Sequence, residues 1–437
     1  MKVANKGDNQ APEWLRNGHD HIWLPYTQMQ DVAMPLLAVS ASGTRITLAD
    51  GRQLVDGVSS WWTACHGYCH PHIEQAVRKQ LENLPHVMLG GFANEPAYRL
   101  ATRLAALLPG DLNHSFFSES GSVAVEVAMK MAVQYHRQRE APTRTAFISF
   151  LGGYHGDTGF AMSVCDPEEG MHGHFASYLP RQHVVTIPKD EASIAAFEAL
   201  LAEHAKSCAA IIIEPLVQGA GGFKMHEAEV LQRLRDAADS HGLLLIFDEI
   251  MTGFGRLGGS LFVCEQTGVV PDIITLSKAL TGGTMPLAAT IATNKVFDAF
   301  KSDSADDAFM HGPTYSGNAL ACAAANASLD LFETEPRLKQ VTEIETQLTT
   351  QLAPIADIAG VVDVRVKGAL GVVQVTALHD VDWLKSRFIE QGAWIRPFGD
   401  VIYIMPPFII DPTDLTLLTD AMKLVISEWS QRFIGEF

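Results

Sequence analysis

The chain reads as an α/β protein: a large domain whose mostly parallel sheet is flanked by helices, with a smaller α+β domain built from both chain ends. Three observations predict it. Between about residues 75 and 330, short and continuously apolar runs alternate with amphipathic stretches of helical length, the pattern of strands buried on both faces of a parallel sheet. On either side of that span, short β-prone pieces are separated by turn residues. Of the 437 residues 47% are apolar and only 19% charged, which is enough to bury a large core.

In chain order, residues 1–20 are rich in Asn, Asp, Gly and Lys and are expected to form a mobile tail. From about 36 to 58, Ile46–Leu48 and Leu54–Val55 flank the turn dipeptide Asp50-Gly51, the signature of a small antiparallel meander. Candidate strands of the large sheet are Ser115–Ser118, Ala146–Phe150, Ala210–Glu214, Leu243–Asp248 and Ile273–Leu276, each short, apolar and ended by polar or Gly-rich loops. Helices of a few turns lie between most of them, Val123–Arg137 and Ala228–His241 among them. A helix-rich stretch near 319–356 follows, then strands at Val361–Val366, Gly371–Val375 and Val401–Met405, and an amphipathic helix over Thr413–Phe433. The expected division is 1–74 for the N-terminal part of the small domain, 75–330 for the large domain and 331–437 for the C-terminal part of the small one.

Composition excludes several functions. A formal charge of -18 repels phosphate backbones, so no nucleic-acid partner is expected. No apolar run approaches the roughly 18 residues a membrane span needs, and residues 1–20 lack the apolar core of a secretory signal. Six irregularly spaced cysteines favour reduced thiols over a disulfide framework. A soluble cytoplasmic enzyme is the expectation.

The chemistry concentrates where strands end, the place where open α/β sheets collect ligands. The run Leu243–Phe247 delivers Asp248 and Glu249, and a carboxylate at the end of a buried strand needs a partner. The run Ile273–Leu276 delivers Ser277 and Lys278, followed by Gly282-Gly283. A single lysine at a strand end is more often a snorkelling surface residue. A lysine and an acid at neighbouring strand ends are what a pyridoxal phosphate site requires: the lysine forms the Schiff base, and the acid keeps the ring nitrogen protonated. A phosphate cradle is available in Ser118-Glu-Ser120-Gly121-Ser122, which opens a helix. Alone that string reads as an ordinary N-cap; beside Asp248 and Lys278, anion binding is the better reading. In Leu151-Gly152-Gly153-Tyr154-His155-Gly156-Asp157, the glycines permit close approach and Tyr154 offers a ring to stack on a flat cofactor, or simply a packed turn.

These residues resemble a known family. Asp248-Glu249-Ile-Met-Thr-Gly253-Phe-Gly255-Arg256 and Leu276-Ser277-Lys278-Ala-Leu-Thr-Gly-Gly are similar to motifs of the class III pyridoxal-phosphate-dependent aminotransferases, with the likeness running from about residue 20 to the C-terminus. Further strings resemble the branch of that family that serves biotin synthesis. They are His21-Ile-Trp-Leu-Pro-Tyr26, Ser59-Ser60-Trp61-Trp62, His86-Val-Met-Leu-Gly90-Gly91, Ser120-Gly-Ser-Val-Ala-Val-Glu126, Gly153-Tyr-His-Gly-Asp157, Met310-His-Gly-Pro-Thr314 and Trp394-Ile-Arg396-Pro-Phe-Gly399. Departures such as Tyr315 and Met285-Pro286 fall beside the motifs and replace no catalytic residue.

The resemblance implies fold type I, pyridoxal 5'-phosphate as cofactor, and a ping-pong exchange through pyridoxamine phosphate. In it, S-adenosylmethionine gives its amino group to 8-amino-7-oxononanoate, yielding 7,8-diaminononanoate. It implies that Lys278 attaches the coenzyme, Asp248 pairs with the ring nitrogen, Gly121 and Ser122 hold the phosphate, and Tyr154 lies over the ring and also lines the substrate pocket. It implies a homodimer with shared active sites, in which Pro313 and Thr314 reach the partner's phosphate and Gly312 contacts substrate. Tyr26, Trp61, Trp62 and Tyr403 would line the substrate pocket, Arg396 would grip the acceptor carboxylate, and Asp157 and Arg256 would be further pocket residues. Arginine's planar fork among apolar neighbours suits that grip, although an arginine near a turn is ordinarily a surface residue. If residues 59–62 are extended, Trp61 and Trp62 point to opposite faces, one to the core and one to the pocket. The readings left beside this one are another class III transaminase, acting on ornithine, 4-aminobutyrate or a β-amino acid, and a coenzyme-binding protein without turnover. Cys65, His66, Cys69, His70 and His72 crowd together, but no second cluster completes a zinc site, and no metal is expected.

Overall fold

The computed structural model describes residues 11–168 and 172–435. Its centre is a seven-stranded sheet in the order Leu112–Ser118, Ala288–Thr293, Ile273–Leu276, Leu244–Asp248, Cys208–Ile213, Ala146–Phe150, His183–Val185. The pairs from Ile273–Leu276 through His183–Val185 are parallel, and Ala288–Thr293 runs antiparallel to both of its neighbours. The sheet is therefore mixed by a single strand. Cys208–Ile213 and Leu244–Asp248 are buried along their whole length, as strands covered by helices on both faces must be.

The helices over this sheet begin and end where the side chains supply caps. Gly121–Gln138 starts at Ser120, whose hydroxyl accepts from Val123 N, and finishes with His136 and Arg137 against the negative end of the helix dipole. Ala228–His241 ends at Gly242 in the left-handed conformation that glycine adopts without strain. Elements that the sequence reading passed over are His183–Val185, only three residues long, and Ala288–Thr293, whose alanines carry little β-propensity and are held in place by two flanking strands. Residues 1–10 of the expected tail lie outside the described residues, whereas Glu13–His19 form a helix.

The chain ends supply two further sheets, one from both ends and one from the C-terminal part alone. Ala38–Ser42, Arg45–Leu48 and Gln53–Asp56 form an antiparallel meander, and Ala393–Trp394 joins it parallel to Gln53–Asp56 with Trp394 opposite Asp56. Val361–Val366, Gly371–Val375 and Val401–Ile404 form the other, antiparallel throughout. The 22-residue helix Pro412–Phe433, capped by Asp411, buries Leu415, Leu418, Met422, Val425 and Trp429. The pairing of Trp394 with Asp56 places Arg396 close to the Trp61-Trp62 segment, although more than three hundred positions separate them in the chain. Among the described residues no helix is long and apolar enough to cross a membrane.

Candidate active site

Strand pairing builds the site. Asp248 is the last residue of its strand and pairs with Thr275 in the neighbouring one, so three residues later Lys278 emerges beside it at the carboxyl edge of the sheet. Lys278 opens the short turn Lys278–Thr281 with φ at +37°, a left-handed value that costs a side-chain-bearing residue strain and is found mostly where function requires it. Its ammonium group lies 4.9 Å from the centroid of the Trp62 ring. Burial lowers the Lys278 pKa, opposed by the charges of Asp248, Glu214 and Asp157. Lys278, Asp248, Gly121, Ser122, Tyr154 and Trp62 line one cavity of about 190 Å³.

The Asp248 carboxylate is anchored on three sides. His155 Nδ1 lies 2.8 Å from Oδ2, while Ile250 N and the Thr275 hydroxyl donate to Oδ1 over 3.1 and 3.3 Å. Glu214, also buried and also lining the cavity, accepts from Tyr154 N and Gly219 N over 3.0 and 2.9 Å. Burial pushes its pKa up to about 7.

An outer layer surrounds this cavity. The Tyr26 and Tyr154 hydroxyls donate to the two oxygens of Asp157 over 2.6 and 2.9 Å, and burial together with Asp157 pushes the Tyr26 pKa up to about 12. Tyr26 meets Trp61 edge to face at 6.3 Å, and the Arg396 guanidinium lies 4.4 Å from the centroid of the Trp61 ring. No carboxylate of the described residues pairs with Arg396, and its charge is left available on an aromatic wall.

One premise fails, and other expected residues lie outside this cavity. Residues 59–62 are not extended; they form a left-handed turn, and that turn separates the two tryptophans, leaving Trp62 9% and Trp61 41% exposed. Tyr403 does not line the cavity: it is buried behind Trp62, whose indole N–H donates to its hydroxyl over 3.2 Å. Arg256 does not reach the cavity either, because the chain after Asp248 turns toward the smaller sheets, where Arg256 O accepts from Ala369 N. Its buried guanidinium donates to Pro406 O over 2.7 Å and covers the Phe408 ring at 4.3 Å, and burial lowers its pKa to about 10. Gly312, Pro313 and Thr314 do not line the cavity of their own chain, and Thr314 O instead accepts from the His86 ring over 3.0 Å. His66 is engaged with Arg337 and Ser328, and among the described residues no group of His, Cys, Asp and Glu is arranged to hold a metal.

Two residues of consequence escaped the sequence reading as site residues. His155 carries no signal beyond its neighbours in a Gly-rich loop. Glu214 did carry one, since it is an acid at the carboxyl end of a buried strand, the same signature that drew attention to Asp248.

The residues fit pyridoxal phosphate. An amine and a fixed carboxylate open on the same cavity, and the N-terminus of Gly121–Gln138 forms its other wall. The backbone there is packed too closely for side chains: a Cβ on Gly156 would fall 2.2 Å from Ser122 Oγ, and one on Gly121 2.9 Å from Ile250. Fold and donor set together define a pyridoxal-phosphate-dependent transaminase.

The aminotransferase class-III family model matches residues 26–426, and the chain belongs to that family. It is similar to adenosylmethionine-8-amino-7-oxononanoate aminotransferase of Mycobacterium leprae, 43% identical over 92% of this chain and 94% of that one. It is likewise similar to the protein of the same name in Corynebacterium glutamicum, 42% identical over 95% and 99%. Among solved structures it resembles adenosylmethionine-8-amino-7-oxononanoate aminotransferase from Methanocaldococcus jannaschii, with a TM-score of 0.89 at 31% identity over 95% of this chain and 98% of that one. It also resembles a PLP-bound amine transaminase from an uncultivated Pseudomonas species, with a TM-score of 0.87 at 31% identity over 93% and 98%. Pyridoxal 5'-phosphate is the coenzyme.

Proposed function

We propose that this enzyme transfers the amino group of S-adenosylmethionine to 8-amino-7-oxononanoate, giving 7,8-diaminononanoate, in the cytoplasm. The observation that carries the reading is the unpaired Arg396 guanidinium on Trp61, above a cavity that presents Lys278 beside Asp248. Bound pyridoxal phosphate supplies an electron sink for the carbon that loses its proton. Asp248, fixed by His155 and Ile250 N, holds a proton on the ring nitrogen. Lys278 would hold the coenzyme through its amine and, when free, would carry a proton from and to the reacting carbon; burial, which lowers its pKa, favours the free base for that task. Gly121 and Ser122 receive the phosphate at the helix N-terminus. Tyr154, held by Asp157, would cover the ring and wall the pocket together with Tyr26, Trp61 and Trp62. Arg396 binds the carboxylate of the acceptor, where low polarity strengthens the pair.

In this reading two copies of the chain complete each site, with Gly312, Pro313 and Thr314 serving the partner. Their absence from their own cavity supports it, as does the exposed apolar surface around them, including Met310, Tyr315, Met88 and Phe92. Six free cysteines suit a reducing cytosol. Since donor and acceptor use one pocket in turn, initial rates at varied concentrations of both should give parallel double-reciprocal lines; intersecting lines would contradict the exchange.

A further inference from the structure

Ser59, Ser60, Trp61 and Trp62 have φ values of +48, +47, +58 and +73°. This is a turn of left-handed helix made without glycine, a conformation in which each Cβ crowds the following carbonyl oxygen. Such a run persists only where its surroundings over-determine it.

Here they do. Asp56, fully buried, accepts from Val58 N over 2.9 Å, Ser60 N over 3.0 Å and the Tyr68 hydroxyl over 2.6 Å. The Tyr68 hydroxyl is also 2.7 Å from Ser60 Oγ. On the other flank, Ser59 Oγ donates to Met405 O over 2.7 Å, and Met405 N donates to Gly57 O over 2.6 Å. The turn is thus clamped between the N-terminal meander and the strand end at Ile404.

The turn decides where the tryptophans go. Trp62 points inward, 4.9 Å from Lys278 Nζ and hydrogen-bonded to Tyr403, while Trp61 points outward beneath Arg396. We propose that Asp56 and Tyr68 are positioning residues for acceptor binding: they hold the left-handed turn that fixes the Trp61–Arg396 wall against the Trp62–Lys278 floor. This rests on the substrate reading above, and it assigns function to two residues that touch neither coenzyme nor substrate.

The backbone claim is tested without any substrate. Ser60→Gly and Ser60→Ala both remove the hydroxyl, so the difference between them reports the backbone alone. At an ordinary position alanine gives the more stable protein, because glycine has more chain entropy to lose; at φ +47° the order reverses. The holoenzyme of Ser60→Gly is expected to melt about 1–2 °C above that of Ser60→Ala. Equal melting, or the opposite order, overturns the strained turn. The positioning claim is tested with Tyr68→Phe, for which KM for 8-amino-7-oxononanoate is expected to rise about tenfold with kcat within about twofold. An unchanged KM, or a loss confined to kcat, overturns it. Failure of the substrate reading shows itself separately, as wild-type enzyme that does not turn over this pair, and the melting comparison then still decides the turn.

Discussion

His155 Nδ1 and the Asp248 carboxylate meet at 2.8 Å inside the sheet's carboxyl edge, from positions 93 residues apart in the chain. The loop glycines let the Tyr154–Asp157 segment fold under the strand end, where His155 N also donates to Cys165 Sγ over 3.1 Å. The contact gives Asp248 a partner that lines the same cavity and holds Oδ2, while Ile250 N and the Thr275 hydroxyl hold Oδ1.

Removing that partner loosens Asp248. His155→Ala is expected to weaken pyridoxal phosphate binding by about tenfold or more, the usual worth of a buried hydrogen bond to a charged group. Titration of coenzyme into the apo variant, followed by absorbance, measures it; affinity equal to wild type would separate His155 from coenzyme binding.

Lys278→Ala is expected to abolish transamination and the visible absorption that depends on the covalent bond to the coenzyme. Turnover at a rate comparable to wild type would remove Lys278 from its role. The variant should still bind coenzyme through Gly121, Ser122 and Asp248, which dialysis followed by phosphate analysis can check.

Arg396→Ala is expected to raise KM for 8-amino-7-oxononanoate by about 10- to 100-fold, the cost of a charge-assisted pair. The half-reaction with S-adenosylmethionine should change little, because that step needs no acceptor carboxylate. Normal acceptor kinetics would put the carboxylate grip elsewhere.

A pH-dependent part of the stability follows from Glu249. Buried where it accepts from Val263 N and Cys264 N over 2.8 and 2.9 Å, it has its pKa pushed by burial from 4.5 up to about 7. The folded state therefore holds a proton that the unfolded chain releases above pH 4.5, so this contribution is complete below 4.5 and is lost as pH rises toward 7. In Glu249→Gln it is absent, and the melting temperature of the variant relative to wild type is expected to climb across that interval. Thermal melts from acid to neutral pH read it directly, and a constant difference would contradict the assignment.

The sequence made some of this legible and not the rest, for physical reasons. Ala146–Phe150, Ile273–Leu276, Ala228–His241, Val361–Val366 and Gly371–Val375 stand where their apolar patterns predicted, because burial on two faces or on one stripe leaves a local signature. Lys278 and Asp248 were legible because each interrupts such a pattern with a charge. The left-handed turn at Ser59–Trp62 was not, since nothing in Ser-Ser-Trp-Trp favours φ above zero; contacts from Asp56, Tyr68 and Met405 impose it. The placement of Arg256 was hidden similarly: its string suits a pocket, and the turns after Asp248 carry it away. The pairing of His155 with Asp248 is a product of strand order, which pattern alone does not reveal.

The central claim is that one cavity first accepts an amino group from S-adenosylmethionine and then passes it to 8-amino-7-oxononanoate. Its most direct measurement is the visible spectrum of the purified holoenzyme during sequential addition of the two compounds. The coenzyme band should bleach with S-adenosylmethionine and return with 8-amino-7-oxononanoate, while ornithine and 4-aminobutyrate leave it in place. Bleaching by ornithine or 4-aminobutyrate with no response to S-adenosylmethionine would contradict the account.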